Sequence, residues 1–404
     1  MRIASAGSTT PDPRTAVREA CEILSRKLSA PPAIIFAHWS VAYPGRMVRD
    51  GIAQRFPGCR IHGASSCRGA MTEDGVLFTE GHGLALLGVA DPTGAYGVDG
   101  RGWEDNPRQS ASRAVLAAIA DAGRPGETPD LVRLASTPGR ESEVLAGIED
   151  ILGPGVPIIG GSAADNEVRG DWEIISNNAC LTDGLSISVL YSSTPLYFAF
   201  HNGYSPTDRR GTVTAATGRT VTTIDHRPAA LVYNEWTEGL LDHVLPGGGP
   251  VLAATALHPL GRVVGHIGSV PYFNLAHPDR VSATGDLSTF ADIKPGDELV
   301  LMRGTVETLI SRAGRVARAA ISGGRLPPEQ ISGALVAYCA GCMLTLEERI
   351  DEVVASLNQA MARRPFLGAF TFGEQGCFTG GENRHGNLMI SAIIFSGTAN
   401  HVQR

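Results

Sequence analysis

The stretch Pro365–Phe395, PFLGAFTFGEQGCFTGGENRHGNLMISAIIF, contains two apolar runs separated by a polar, glycine-rich segment. The first run breaks at Gly373-Glu374, and the chain then passes through several glycines before the second run begins. Apolar runs bounded by glycine and polar residues are typical of strands joined by a loop. This stretch therefore predicts a pair of strands with a long polar connection.

The same pattern occurs twice more, earlier in the chain. RIHGASSCRG begins one copy, between Arg60 and Ala90, and VPIIGGSAADN begins the other, between Val156 and Leu190. Each copy follows an amphipathic helix, an apolar segment and a second helical segment. The apolar segments are Ala33–Ala37, Leu131–Ala135 and Ala334–Cys339. The sequence predicts an α-β-α-β-β module of roughly 80 to 90 residues that is used three times.

Strands that alternate with helices predict an α/β protein built of α+β layers, here in two lobes. From about residue 195 to 303 the chain is β-rich, and only Ala229–Leu245 has helical periodicity. We expect an N-terminal domain of two modules at 1–210 and a C-terminal domain at 211–404 that holds the β-rich insert and the third module. In the third module, Thr345-Leu346-Glu347-Glu348 has the pattern of a capping box that opens a helix.

Equivalent modules place their glycine turns at equivalent strand ends, where irregular backbone can meet a ligand. The turns are Gly63-Ala64-Ser65, Gly160-Gly161-Ser162 and the segment from Gly368-Ala369 to Gly373-Glu374. We expect them to gather around one cavity that main-chain amides and a few acids line.

Composition limits the class of protein. The chain has 404 residues, 43% of them hydrophobic and 19% charged, as in globular proteins. Its net charge of −7 without a basic block argues against nucleic-acid binding. No apolar run approaches the ~20 residues of a membrane helix. Seven cysteines and an N-terminus without a basic-then-apolar leader lead us to expect a cytoplasmic protein.

Several segments resemble the FIST family, and their order carries the resemblance. The C-terminal part contains GTVTAATGRTVTTIDHRPAALVYNEW, His258-Pro259-Leu260-Gly261, GDELVLM and LGAFTFGEQG, and the N-terminal part contains GASSCRG and GGSAAD. The resemblance implies a FIST N-terminal and a FIST C-terminal domain. It also implies a sensory protein that binds amino acids or related metabolites, and a subset of the family binds haem and senses nitric oxide.

One position departs from the family pattern. After Cys339-x-Gly341 the resemblance leads us to expect an arginine, but the chain has Cys342. This departure puts in doubt any ligand contact, such as a carboxylate clamp, that an arginine there would make.

The second turn has the residues of a binding loop for an amino acid. Asp165 can hold an ammonium group, and the backbone N–H groups of small residues can hold a carboxylate. The alternative is a turn in which Asp165 and Asn166 accept from local backbone donors. Glu374 and Arg384 flank the third loop and allow the same use, or else form a surface ion pair. The predicted ligand-binding residues are Gly63, Ser65, Gly160, Gly161, Ser162, Asp165, Asn166, Gly373, Glu374 and Arg384.

Cys339 and Cys342 stand at a strand end, just before the helix predicted at Thr345, where a helix terminus lowers a thiol pKa. Three interpretations stay open: two ordinary thiols at a packed turn, a redox or disulfide switch, and a metal site. Cys377 and His385 would complete the metal site, although Cys-x2-Cys with Cys-x7-His is not a common zinc spacing.

Other sites have weaker support. The histidines form no metal-binding array, and His201, His258, His266, His277 and His385 are left as candidate haem ligands. Ser65, Ser66 and Ser162 have glycine neighbours but no identifiable base, and no Gly-x-Gly-x-x-Gly pattern opens a helix.

Three hypotheses of function follow. The first is a cytoplasmic sensor that binds a small metabolite near the glycine turns, catalyses nothing and signals through a separate output partner. The second is a haem-based or thiol-based sensor of nitric oxide or redox state. The third is an enzyme that uses Cys67, Cys342 or Cys377 on a small substrate.

Overall fold

A computed structural model describes residues 1–104, 106–267, 269–378 and 380–397. The helices are Pro13–Leu28 (α1), Gly45–Arg55 (α2), Pro107–Asp121 (α3), Glu141–Leu152 (α4), Ala229–Trp236 (α5), Leu252–Thr255 (α6), Val306–Gly323 (α7), Ala340–Leu346 (α8) and Ile350–Met361 (α9). Single 3-10 turns lie at Pro328–Gln330 and Glu347–Arg349.

The strands are Arg2–Ser8 (β1), Ile34–Trp39 (β2), Arg60–Ser65 (β3), Ala70–Thr72 (β4), Gly75–Leu77 (β5), Leu84–Ala90 (β6), Ala95–Gly102 (β7), Leu131–Ser136 (β8), Ile158–Ser162 (β9), Ile174–Ile175 (β10), Cys180–Leu181 (β11), Gly184–Tyr191 (β12), Leu196–His201 (β13), Ser205–Thr217 (β14), Thr220–Ile224 (β15), Arg227–Pro228 (β16), Gly249–Pro250 (β17), Leu260–Ile267 (β18), Val270–Ala276 (β19), Pro278–Val281 (β20), Leu287–Thr289 (β21), Glu298–Arg303 (β22), Ile331–Cys339 (β23), Phe366–Thr371 (β24), Glu374–Cys377 (β25), Asn383–Gly386 (β26) and Ile390–Ser396 (β27).

The predicted module is present three times, and each copy forms most of a six-stranded mixed sheet. Within each sheet two strands run parallel, as β2 and β3, β8 and β9, or β23 and β24. A third strand of the same module (β6, β12 or β27) pairs antiparallel to the first of them. The strand before each module (β1, β7 or β13) closes the sheet on that side. The repeat inferred from the sequence is therefore confirmed, and the fold is mixed α/β.

Each module completes its neighbour's sheet with a short hairpin. The hairpin β4–β5 of the first module pairs with β24 of the third, β10–β11 of the second pairs with β3 of the first, and β25–β26 of the third pairs with β9 of the second. This cyclic exchange occupies an edge in each of the three sheets, since an unpaired edge would expose backbone donors and acceptors. The three modules are thereby joined through main-chain hydrogen bonds.

The inner faces of the three sheets pack together in one core. Phe36 from the first sheet, Ile159 from the second and Ile393 from the third belong to the same buried cluster. The helices cover the outer faces: α1 and α2 on the first sheet, α3 and α4 on the second, and α7, α8 and α9 on the third. Asp12 caps α1 and Thr305 caps α7, so the polar ends of both helices are satisfied.

The β-rich insert runs from β14 to β22 and forms a nine-stranded antiparallel sheet with α5 and α6. Its own core includes Val221, Tyr233 and Leu287. Leu196–His201, at the start of the region expected to be the insert, belongs instead to the sheet of the third module, where it pairs with β27. None of the described helices is both long enough and apolar enough to cross a membrane.

Two local predictions are wrong. Thr345 does not cap a helix, because it lies inside α8 and its hydroxyl donates to the Gly341 carbonyl oxygen. Glu347, at a positive φ of 38°, separates α8 from α9. The helix expected over Ala229–Leu245 ends at Trp236, and hydrogen-bonded turns follow it.

Candidate functional site

The three glycine turns meet in a ring of main-chain hydrogen bonds. Cys67 N donates to Phe370 O (3.0 Å), Ala164 N to Ser65 O (3.0 Å) and Phe372 N to Ser162 O (3.1 Å). Each bond joins one module to the next, at the ends of β3, β9 and β24. The turns therefore lie together as expected, but these amides are bonded to the chain itself and are not free to hold a carboxylate.

The glycines of the first two turns allow neighbouring strands to pack closely. A Cβ at Gly63 would overlap the Ala37 carbonyl oxygen, and one at Gly160 would overlap the Leu134 carbonyl oxygen, each on the neighbouring parallel strand. A Cβ at Gly161 would overlap the side chain of Thr371. Only glycine lets these strands approach so closely. Gly373, at φ 145°, presents its bare Cα to the ring of His385.

The Asp165 carboxylate accepts hydrogen bonds from the loop that follows it. It is 1% exposed, and its two carboxylate oxygens accept from five backbone N–H groups, those of residues 167 to 171. Burial alone would raise the pKa of Asp165, but these hydrogen bonds outweigh it and lower the pKa. The geometry is that of the alternative drawn from the sequence, a turn satisfied by local donors.

The other predicted ligand-binding side chains near Asp165 also make hydrogen bonds or ion pairs within the protein. Asn166 accepts from Arg68 N (2.6 Å) and donates to Ser40 Oγ (3.0 Å), and Ser65 Oγ accepts from Glu173 N (2.9 Å). Arg384 pairs with Glu382 at 2.9 Å on the surface. A ligand role for these side chains stays a prediction.

Ser162 belongs to a buried polar network that the sequence did not reveal. Its hydroxyl donates to Glu141 Oε1 (2.9 Å) and accepts from Gln375 Nε2 (3.1 Å). Glu141 Oε2 also accepts from Arg219 Nη2 at 2.7 Å, and His385 Nε2 lies 3.9 Å away. Burial would raise the pKa of Glu141, but the charges of His385 and Arg219 lower it. The network ties the second module, the third module and the insert together.

A small cavity lies beside the ring, between the third turn and the insert. We call it the third-turn cavity; its volume is about 50 Å³, and its lining consists of Val168, Leu252, His277, Phe290, Cys339, Gly341, Leu344, Thr371, Phe372 and Asn387. The third module contributes strand ends and the start of α8, the second contributes Val168, and the insert contributes Leu252, His277 and Phe290. Three separate parts of the fold therefore meet around it.

Most of the cavity wall is apolar, with a few polar groups. Burial lowers the pKa of His277 to about 4, so its ring is neutral at pH 7 and Nε2–H donates to Leu252 O at 3.0 Å. Nδ1 of His277 is then an acceptor. Asn387 is 3% exposed, and its Oδ1 has no hydrogen-bond partner in the described part of the chain. Buried polar atoms are nearly always bonded, so Oδ1 is available to a ligand donor.

The two cysteines of the CAGC segment lie at the edge of this cavity, beside a buried arginine. Cys339 lines the cavity, whereas Cys342 is fully buried and its sulfur lies 3.5 Å from Oη of Tyr204, over whose ring the Arg312 guanidinium from α7 lies. Burial alone would raise the pKa of the Cys342 thiol, but a hydrogen bond from Cys339 and the Arg312 charge lower it to about 6. The same hydrogen bond raises the pKa of Cys339. Cys342 is therefore the more acidic thiol of the pair.

Glu374 is buried next to the third turn. Its Oε1 accepts from Thr371 Oγ1 (2.6 Å) and its Oε2 from Met389 N (3.0 Å). Burial raises the pKa of Glu374 well above the usual range, so its carboxyl group is protonated over a wide pH interval.

The residues proposed for a metal site do not come together. Among the described residues, no three His, Cys, Asp or Glu side chains are grouped to hold a metal ion. Burial raises the pKa of Cys377 to about 11 and that of Cys67 to about 12, so neither is a thiolate nucleophile at neutral pH. The third-turn cavity has room for only a few water molecules and does not fit a haem group.

Family models match almost the entire chain. The model described as the FIST N domain matches residues 33–227, and the model described as the FIST C domain matches residues 229–377. Among curated proteins, none has a sequence that matches this chain.

Solved structures give weak likenesses. Cyanuric acid hydrolase from A. caulinodans has 10% sequence identity and a TM-score of 0.42, over 98% of this chain and 99% of that chain. PurLQS from Thermotoga maritima has 9% identity and a TM-score of 0.22, over 98% of this chain and 72% of that chain. These likenesses are too weak to bear on fold or function.

Proposed function

This chain belongs to the FIST family, and from that premise we propose that its third-turn cavity binds the small metabolite that the protein senses. FIST domains are small-ligand sensory domains in signal transduction. The single observation that carries the proposal is Asn387, which lines a mostly apolar cavity and whose buried Oδ1 has no hydrogen-bond partner among the residues that the structure describes. A concave apolar site with few polar groups is the usual form of a small-molecule site.

The lining restricts the ligand. A cavity of about 50 Å³ holds a molecule of a few non-hydrogen atoms. Asn387 Oδ1 and His277 Nδ1 are acceptors, so the ligand carries N–H donors. Among the described residues, the lining includes no lysine, arginine, aspartate or glutamate, so a carboxylate or an ammonium group would be buried without a counter-charge, at a high cost. We therefore expect a small neutral amide related to an amino acid, rather than the free amino acid.

The position of the cavity suits sensing. A ligand there would contact the third module, the loop that Asp165 holds, and the insert at the same time. It would bind one arrangement of these parts better than others, and that differential affinity is what shifts a conformational equilibrium. The signal would pass to an output protein on a separate chain, in the cytoplasm. Affinity purification with and without the ligand tests this part, since a partner whose retention changes is required.

A thermal-shift screen tests the ligand class with matched pairs. Acetamide and propionamide represent the expected class, ethylamine and ethanolamine carry an ammonium group, and alanine and serine carry an ammonium group and a carboxylate. A ligand at 100 times its dissociation constant stabilises the folded state by about 2.7 kcal/mol. We expect the amides to raise the melting temperature and the amines and amino acids to leave it unchanged. The reverse order would refute the proposed ligand class.

A further inference from the structure

We propose that Cys339 and Cys342 form a redox-active dithiol in which Cys339 meets a small hydroperoxide in the third-turn cavity and Cys342 closes the disulfide. The proposal does not depend on which metabolite the cavity holds. It rests on the placement of the two sulfurs and on the buried arginine beside them.

Arg312 supplies the first argument. It is fully buried, and its Nη1 donates to Asn202 O (3.0 Å) and Leu388 O (2.8 Å). Within the described residues, its Nε and Nη2 have no hydrogen-bond partner. The guanidinium lies over the rings of Tyr338 (4.9 Å) and Tyr204 (5.5 Å). A buried charge needs a counter-charge, and Cys342, whose sulfur lies 3.5 Å from Oη of the same Tyr204, can supply one as a thiolate.

The position of the pair supplies the second argument. Cys339 is the residue before α8 and Cys342 lies in its first turn, and positions three apart on a helix are neighbours. All seven cysteines are free thiols in this structure. Only Cys339 of the pair lines the cavity, so an oxidant of the size of hydrogen peroxide reaches Cys339 first. A larger disulfide reagent would not fit.

The chemistry balances with hydrogen peroxide as the oxidant. The Cys342 thiolate accepts the proton of the Cys339 thiol while the Cys339 sulfur attacks one peroxide oxygen; an S–O bond forms, the O–O bond breaks, and hydroxide leaves. That hydroxide takes the proton from Cys342 and becomes water. The Cys342 thiolate then attacks the Cys339 sulfur, the S–O bond breaks, and the second hydroxide leaves and is protonated by solvent. The two sulfurs are oxidised by two electrons in total, and the peroxide is reduced to two molecules of water.

Oxidation would change the cavity and the arginine together. The Cys339 sulfur turns from the cavity wall toward Cys342, and Arg312 loses the negative charge that faced it. The oxidised protein is therefore expected to bind any cavity ligand with a different affinity from the reduced protein.

The test treats the full-length protein with hydrogen peroxide and then alkylates it under denaturing conditions for peptide mass spectrometry. Cys59→Ser and Cys180→Ser together remove the two half-buried thiols. We expect a Cys339–Cys342 disulfide, 2 Da lighter than the dithiol, which a reductant reverses. In the Cys342→Ser variant, Cys339 loses the base that takes its proton, and we expect it to stay alkylatable. In the Cys339→Ser variant, Cys342 should stay alkylatable.

Two outcomes would overturn the proposal. One is full alkylation of Cys339 and Cys342 in the wild-type protein after peroxide treatment, and this result needs no variant to fold. The other is sulfenic acid at Cys342 in the Cys339→Ser variant, because the order of attack would then be reversed. Neither outcome bears on metabolite binding, which the thermal-shift screen tests separately.

Discussion

Oη of Tyr204 lies 3.5 Å from the Cys342 sulfur, and the Arg312 guanidinium lies over the ring of the same tyrosine, 5.5 Å from its centroid. Cys342 makes a pH-dependent contribution to stability. The pKa of Cys342 is lowered from 9.0 to about 6 because the Cys339 hydrogen bond and the Arg312 charge outweigh burial. A thiol whose pKa falls on folding stabilises the folded protein above its unfolded pKa, and this contribution is lost as the pH falls from about 9 to about 6.

We therefore predict that Cys342→Ser loses stability relative to the wild type as the pH rises from 6 to 9. The difference in free energy of unfolding, measured by urea denaturation, should grow steadily over this range by roughly 1 kcal/mol per pH unit at most. Glu374, whose pKa burial raises, makes an opposite contribution that is present in both proteins. Cys377→Ser is the control, because burial raises rather than lowers the pKa of Cys377. A difference that stays constant across this range would mean that Cys342 is an ordinary thiol.

Gly160→Ala should destabilise the junction between β8 and β9. The added Cβ overlaps the Leu134 carbonyl oxygen, so the two parallel strands must separate. Overpacking of this kind costs about 1–3 kcal/mol. Gly155→Ala is the control, since no atom lies within 4 Å of its Cβ position. Equal unfolding midpoints in urea for the two variants would contradict the close approach of these strands.

Asp165→Ala should free the loop at residues 167–171. Five backbone N–H groups lose their acceptor, and hydrogen bonds to a charged group contribute about 1.5–3 kcal/mol each at most. We expect trypsin to cleave after Arg169 in the variant and not in the wild type. Asp208→Ala, at an exposed position, should resist trypsin as the wild type does. If Asp165→Ala stays resistant too, other contacts hold the loop.

Asn387→Leu should weaken ligand binding without weakening the fold. The Oδ1 atom makes no hydrogen bond within the described structure, so its replacement relieves the cost of a buried, unpaired acceptor. Loss of the bond to the ligand should reduce affinity by about tenfold, since one hydrogen bond contributes about 1 kcal/mol or more. The melting temperature without ligand should be equal to or above that of the wild type. An unchanged ligand affinity in this variant would show that Asn387 does not bind the ligand.

The sequence predicted those parts of the fold that depend on residues close together in the chain. Apolar runs and helical periodicity predicted the three modules, because strand and helix patterns depend on neighbouring residues. The sequence did not predict the exchange of hairpins between modules. The strands of these hairpins are only two to four residues long, and each hairpin pairs with a different module; the hairpins are β4–β5, β10–β11 and β25–β26. Period-two patterning reveals a strand but does not identify its partner.

The sequence predicted only part of the candidate site, because contacts between distant segments cannot be identified from local patterns. The repeat in the sequence predicted that the three turns lie together. It did not show that backbone N–H groups of one turn donate to carbonyl oxygens of another. Arg312 was missed, although it lies on the apolar face of α7 between Leu309 and Ala313. Arg133, in the centre of LVRLA, is buried in the same way, with its Nε and Nη1 unpaired in the described structure. A charged residue within a buried apolar pattern is the signal that would have revealed both.

The central claim is that a small ligand occupies the third-turn cavity, and Gly341→Ala tests it most directly. A Cβ there would meet His277 at 3.5 Å, Leu388 at 3.6 Å and Cys339 at 3.7 Å, so it narrows the cavity without a clash. Alanine also favours the helix α8, and Gly323→Ala in α7, with open space around its Cβ, is the matched control. Isothermal titration with the best amide from the screen should show wild-type affinity for Gly323→Ala and at least about a tenfold loss for Gly341→Ala, since tenfold corresponds to 1.4 kcal/mol. Equal affinity in all three proteins, or no binding by any of them, would contradict the account.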